Sequence, residues 1–430
     1  MKINLTGVFI ASLAGLLFGF DTAVISGVTG ALRDVFALDD AALGWAVSVA
    51  LWGTFLGALF MGRLGDAIGG RDALRVIGAM YVVATLGCAM AWNIESFVVC
   101  RFILGLAVGG SSVLAPVYIS EIVPAKQRGA LVGLFQFNIV FGILLAYLSN
   151  YIVGQVIEGD AVWRWKVGLA AVPSAVFFAL LFLIGQSARW LAAKGRIAEA
   201  VANLKKLGIS DAETTIAEFS KSQGVGKLSW AQHKKPILLV LLLALFNQLT
   251  GINAILYYLN DIFAAAGFNS VSADMQSIAV GGANLIATMV GMTFIDRFGR
   301  KKLLVIGAAG VTAALAGVAV IMGLNQGQAW LLPLLILFIV SFAFSQGAVI
   351  WVYMSEIFPT PVRATGQSLG SATHWVANAV ISLVFPIVAT QTKALPFVFF
   401  AVCTLVQLIV VARFFPETKG VELEEMEQKL

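Results

Sequence analysis

Apolar residues in this chain run together in stretches of about 18–25, broken by short polar segments, and each stretch is long enough to cross a bilayer as a helix. Twelve such stretches predict helices at 8–32, 41–61, 74–92, 97–119, 129–153 and 165–184, then at 236–260, 274–295, 303–324, 330–354, 364–390 and 395–415. The first is too long for a signal-peptide core and no cleavage site follows it, so it counts as a span. One stretch reads as soluble, 187–235. It holds RWLAAKGRIAEAVANLKKLG and then DAETTIAEFSKS, with charge on one side and Leu, Ala and Ile on the other. About fifty residues cannot form an independent core, so short linker helices beneath a membrane domain are expected there.

The pattern also repeats. Residues 118–128 read YISEIVPAKQR and residues 353–363 read YMSEIFPTPVR, with Tyr, Ser, Glu, Ile, Pro and Arg at identical offsets. The segment after the second span, GRLGDAIGGRDALRVIGA, is answered after the eighth by FIDRFGRKKLLVIGA, led by Asp66 and Asp296. Both repeats fall after spans two and four of a set of six. The expected fold is therefore an all-α membrane protein with twelve transmembrane helices in two pseudo-symmetric six-helix bundles. Its expected domains are 1–186, linker helices at 187–235, a second bundle at 236–416 and a short tail at 417–430.

Composition agrees. The 430 residues are 60% hydrophobic and 12% charged, where an ordinary soluble domain is about 25% charged. The three cysteines, Cys88, Cys100 and Cys403, lie in apolar runs without metal-ligand spacing and read as reduced packing residues; no metal site is expected. A sequence pI near 9.1 raises the question of nucleic acid, and the location of the bases answers it. With the N-terminus cytoplasmic, 23 of the 28 Lys and Arg fall inside, four fall outside (Arg33, Arg164, Lys166, Lys393), and Arg101 falls within a span. This is the positive-inside bias, with both termini cytoplasmic. The basicity reports topology, and no nucleic-acid partner is expected.

Two homologous bundles suit a transporter, whose substrate site lies at the repeat interface near the midplane. The chain resembles the sugar porter family of the major facilitator superfamily, similar to bacterial proton-coupled monosaccharide symporters and animal glucose facilitators. The resemblance rests on GFDTAVISG (19–27), GRLGD (62–66), YISEIVPAKQRG (118–129), NQLTGIN (247–253), DRFGRKK (296–302), SEIFPTPVR (355–363) and PETKG (416–420), in order along nearly the whole chain.

Ionisable residues within spans are functional candidates. Asp21 lies about 20 Å from the cytoplasmic side at 1.5 Å per residue, and Arg101 enters span four from outside, so both sit in the outer half of a core about 30 Å thick. A neighbouring Arg opposes the effect of burial on a carboxyl, which poises such a pair to bind and release a proton; a structural salt bridge is the alternative. The resemblance implies proton coupling at Asp21 and Arg101, with the proton as coupling ion and no cofactor.

Sugar hydroxyls suit amides, and sugar C–H faces suit Trp. Gln248, Asn253, Asn284, His374 and Asn378 fall near mid-depth, Gln136 lies closer to the cytoplasm, and Trp351 and Trp375 supply ring faces. A lone Asn in a span is also commonly glue between helices. The resemblance implies sugar contacts at Gln136, Asn247, Gln248, Asn253, Asn284, Trp351 and His374, and an outer gate at Tyr257 and Tyr258. Departures from the family bear on the sugar's identity: Asn247 stands where Gln is common, His374 replaces an amide, and Ile143 replaces a further amide.

Glu121, Arg128, Glu356 and Arg363 cap the inner ends of their spans. A solvated rim is one reading of them, but the duplicated spacing favours a gate. The resemblance implies cross-pairs Glu121–Arg363 and Glu356–Arg128, assisted by Asp66, Arg71, Asp296, Arg297 and Arg300. Gly70 stands where the repeat and the family carry a base, and Gly185–Arg189 reads GQSAR where the family has a Glu and two prolines. A weakened inner gate with a larger inward-facing population is expected.

The expectation is a transporter of the bacterial inner membrane, a monomer in the lipid bilayer, importing a monosaccharide with a proton by alternating access. A sugar uniporter and a proton-coupled inositol or polyol transporter are the alternatives within transport. A sugar sensor would need a longer tail. No enzyme is expected: no Walker loop or HExxH occurs, and only His233 and His374 are present.

Overall fold

The computed structural model describes residues 4–123, 128–206, 212, 216, 228–359 and 362–419. Among these every regular element is helical. In the first half they are α1 (Leu5–Val24), a 3₁₀ turn (Ile25–Gly27), α2 (Thr29–Val35), α3 (Asp40–Ile68), α4 (Gly70–Ala89), α5 (Ile94–Ile122), α6 (Arg128–Val156), α7 (Val162–Gly168) and α8 (Ala171–Leu180). The short α9 (Ala188–Ala193) and α10 (Ile197–Lys206) follow. The second half holds α11 (Trp230–Leu249), α12 (Ile252–Tyr257), α13 (Leu259–Ala265), α14 (Ser270–Phe298), α15 (Arg300–Leu324), α16 (Leu331–Phe342), a π turn (Ala343–Gly347), α17 (Ala348–Glu356), α18 (Arg363–Gln391) and α19 (Leu395–Phe414).

Eleven of the twelve expected spans carry a helix long and apolar enough to cross a membrane. The sixth is divided between α7 and α8. Pro173 has no N–H for the Leu169 carbonyl, and the Val172 N–H takes that carbonyl instead, at 3.1 Å, tightening the turn to i→i+3. The seventh is broken too. Gly251 adopts the left-handed conformation (φ 79°) between α11 and α12, where a Cβ would run into the Phe400 ring. Caps mark the ends: the Asn93 side chain accepts from the Ser96 N–H at 2.9 Å while the Ser96 hydroxyl lies 3.4 Å from the Asn93 N–H, a reciprocal box that starts α5.

The chain forms two compact units, Met1–Thr22, Val49–Ser149 and Ala161–Gly224 in one and Ala23–Ser48, Asn150–Asp160 and Val225–Leu430 in the other. The first has a core around Val8, Ala11, Tyr81, Leu104, Tyr118 and Phe177. Its α1 and α6 approach closely because α1 offers glycine: a Cβ at Gly19 would lie far inside contact distance of the Ile139 carbonyl. The linker helices carry a satellite cluster of Leu191, Ala200, Leu204 and Ile216. The second unit has its core around Val240, Leu303, Val349, Tyr353 and Phe358. It includes the 3₁₀ turn and α2, so that the outer continuation of α1 packs with the second half of the chain.

Candidate functional site

In the first unit the guanidinium of Arg101 on α5 donates to the Asp21 carboxylate on α1. Their side chains are 5% and 13% exposed, respectively, so the pair is almost wholly withdrawn from solvent. The Arg101 Nε is buried without a hydrogen-bond partner. Nearby, the Tyr81 and Ser111 hydroxyls are 3.0 Å apart. Deeper in the same unit Asn138 on α6 donates to the Ser12 hydroxyl on α1 at 2.9 Å. Gln136, also on α6, is half-buried. Ile143, the apolar departure, is buried.

In the second unit four of the expected sugar residues, Asn247, Gln248, Asn253 and His374, form one connected network. Gln248 Nε2 donates to Asn247 Oδ1 at 3.1 Å, and Asn253 donates to Gln248 Oε1 at 3.0 Å. The same Gln248 nitrogen lies 3.1 Å from each ring nitrogen of His374. His374 is flanked by Trp351 and Trp375, with ring centroids 5.2 and 5.1 Å away. Trp375 is buried, whereas Trp351 is 40% exposed. Asn284 on α14 is buried. The Asn247 Nδ2 is buried without a partner, a donor left available for a ligand hydroxyl.

Asn378 turns toward the opposite end of α18. Its amide donates to the Tyr257 hydroxyl at 3.3 Å and its carbonyl accepts from Ser382 at 3.2 Å, so its polar groups are taken by protein. Tyr258 donates to the Ser382 carbonyl at 3.0 Å and stacks on Phe385 at 5.2 Å. Both tyrosines of the expected outer gate are buried.

The inner charges are engaged within each unit. Glu356 accepts from Arg300 Nε at 3.0 Å and Nη2 at 2.7 Å, and from the Thr418 hydroxyl at 2.6 Å. The Arg300 N–H and Lys301 N–H, at the start of α15, donate to Glu417 at 2.8 and 3.1 Å. In the first unit Gln186 takes the corresponding place. Its Oε1 accepts from the Arg71 N–H at 3.1 Å, and its Nε2 donates to the Ile68 carbonyl at 3.2 Å and Asp72 at 3.3 Å. Arg71 forks onto Asp72 at 2.9 and 3.0 Å. Glu121 hydrogen-bonds Ser187 with Arg189 beside it. Asp66 is exposed, and its carbonyl accepts from Trp190 at 3.0 Å. Arg297 is exposed and Arg363 half-buried. The side chains of Arg128 and Asp296 lie outside the described residues.

Sequence reasoning singled out the PETKG motif and the GQSAR departure without seeing what they do. Glu417 and Gln186 each seat the first turn of a helix that follows a positive-φ glycine, Gly299 or Gly69. The signal was available in their matched position, each shortly after the last span of its half. Reasoning also passed over Gly366–Gly370, which has G-x-S-x-G spacing. It lies inside α18, without the strand-to-helix turn that exposes a nucleophile.

A family model described as "Sugar (and other) transporter" matches residues 7–430. The chain is 36% identical to the glucose transporter GlcP of Staphylococcus epidermidis, over 100% of this chain and 98% of the other. It is 34% identical to the galactose-proton symporter of Escherichia coli, over 98% and 93%. Among solved structures it is similar to the inward-open xylose transporter XylE from E. coli, with a TM-score of 0.89 and 30% identity over 98% of each chain.

Proposed function

The chain belongs to the sugar (and other) transporter family, and on that premise we propose that it is a secondary active transporter that imports a monosaccharide together with a proton by alternating access. The observation that carries the reading is the buried ion pair of Arg101 and Asp21. A carboxylate withdrawn from water is costly unless paired. Arg101 is that partner here; when the two separate, a proton delivered from the acidic side can take its place. Its relatives named for proton symport support the same reading. The Gln248 network, with the unpartnered Asn247 amide and the exposed Trp351 beside it, supports a polyhydroxylated ligand. The six-plus-six division about 187–235 supplies the two bodies that rock around it.

The proton is the coupling ion, and neither cofactor, metal nor enzymatic activity belongs to the reading. The transporter is placed in the inner membrane as a monomer with both termini cytoplasmic. Glu121–Arg363 and Glu356–Arg128 close the inner mouth in the outward-facing state.

Radiolabelled glucose and xylose uptake into proteoliposomes, with and without an inward pH gradient, tests this for the wild type and Asp21→Asn. Accumulation above equilibrium that needs the gradient and is lost in the variant is expected. Uptake that only equilibrates and ignores both the gradient and the substitution would overturn symport and leave a facilitator.

A further inference from the structure

A second carboxylate is withdrawn from water, far along the chain from Asp21. Asp261 lies on α13, just beyond the seventh span, where the 3₁₀ turn packs on it and Thr29, the first residue of α2, reaches its side chain. One of its oxygens is hydrogen-bonded by Thr29, a residue 1% exposed. The other, Oδ2, is buried with no partner.

The surrounding charges explain why. Arg33 on α2 is the cation near Asp261, but its guanidinium donates to Asp40 at 2.5 Å, and Asp40 is further held by the Thr390 hydroxyl at 2.6 Å. Asp274 on α14 faces the same region and is held by the neighbouring Asn260 at 2.5 Å. Lys393 donates to the Ala265 carbonyl at the end of α13, at 2.7 Å. Tyr258, one turn back, has its hydroxyl on the Ser382 carbonyl. Each ionisable neighbour is thus committed elsewhere, and one cation serves two carboxylates.

We propose that Asp261 is a second proton-binding residue, whose protonation is coupled to the docking of residues 25–35 on α13. An orphaned buried carboxylate oxygen carries the full cost of desolvation, and a proton removes the charge that makes that cost large. Burial pushes the docked Asp261 carboxyl up to about 6, while an undocked one titrates near 3.9. The sign follows. The docked form binds the extra proton, so docking is strongest below about pH 4, weakens as the pH rises toward 6, and is weakest above that. The full range corresponds to about a hundredfold in the docking equilibrium. As a part of transport the inference rests on the symport reading, in which protons arrive from this side; docking itself does not depend on that reading.

Hydrogen–deuterium exchange of the 25–35 segment, corrected for intrinsic rate, tests the proposal on the full chain in nanodiscs between pH 4.5 and 7.5. Wild-type protection is expected to fall tens-fold across that window. In Asp261→Asn it stays high and flat. In Asp40→Asn, Arg33 is released to pair with Asp261, and the fall moves to lower pH. Asp21→Asn retains the wild-type fall, which separates this site from the coupling pair. Flat wild-type protection, an unchanged fall in Asp261→Asn, or loss of the fall in Asp21→Asn would each overturn the proposal. If uptake proves indifferent to the gradient while protection still follows Asp261, the docking site stands and the symport reading fails alone.

Discussion

Arg300 grips Glu356 with two nitrogens, at 2.7 and 3.0 Å, and its counterpart in the first repeat, Gly70, has no side chain to answer it. Arg300→Ala would leave Glu356 half-buried with Thr418 as its remaining donor. A loss of about 1–3 kcal/mol is expected, read by thermal unfolding in detergent. Arg300→Lys should recover only part of it, because an ammonium cannot reproduce the two-pronged contact.

The missing base at Gly70 should bias the conformational equilibrium. Glu121 leans on Ser187 and Arg189 within its own unit, so the first half brings one strong cation fewer to the inner mouth. A cysteine lining the inner cavity is expected to label readily at rest, and less so in Gly70→Arg. A resting state that protects that cysteine in the wild type would contradict the weakened gate.

Gln186 uses both ends of its amide, accepting from Arg71 and donating to Ile68 and Asp72. Gln186→Glu restores the residue type seen at Glu417 but removes both donations and sets a carboxylate beside Asp72. A destabilisation of about 1–2 kcal/mol is expected, and Asp72→Asn in the same chain should relieve part of it. A double-mutant cycle on melting temperature reads the coupling. Full additivity would show that the two side chains do not interact.

Gln248 joins Asn247, Asn253 and His374. Its truncation to Ala unties all three, and sugar affinity is expected to weaken by about ten- to a hundredfold, or about 1.4–2.8 kcal/mol, measured by quenching of Trp351 fluorescence or by competition uptake. Asn378→Ala should weaken affinity far less, since protein groups already occupy its amide.

Gly19→Ala sets a methyl group against the Ile139 carbonyl. It should separate α1 from α6, lower the melting temperature by several degrees, and reduce proton-driven accumulation, because Asp21 is carried half a turn further along the same helix. Unchanged accumulation would show that Asp21 tolerates a shift of α1.

Which of these features could be read from the chain alone depended on the physics behind each. The spans were legible because the bilayer demands length and apolarity together. The sixth lost continuity at Pro173, whose effect on its neighbours a count of apolar residues does not register. Asp21 and Arg101 stood out because charge is rare inside a span, and the structure brings them together. Asp261 did not, because it falls one residue past the apolar run, where a carboxylate looks solvated; only packing by a segment more than two hundred residues earlier buries it. Gln186 was noticed as a departure, yet its role required knowing that the chain returns to the start of α4. Asn378 looked like Gln248 by depth, but it lies one turn beyond His374 on the same helix face, where Tyr257 and Ser382 take its amide.

The π turn at Ala343–Gly347 interrupts the tenth span just before Trp351. A π turn holds one residue more than the α-helix it replaces, so it is a one-residue insertion absorbed without a loop. Each residue rotates a helix by about 100°. Winding the same residues as an unbroken α-helix, without the wide turn, would swing everything beyond it, Trp351 and Glu356 included, about a quarter-turn away from the faces they now occupy. The orientation of an aromatic platform and of an inner-mouth charge is therefore set by a single local slip in register, and a deletion of one residue at the turn, which restores the plain α-helix, would leave both facing as they do now.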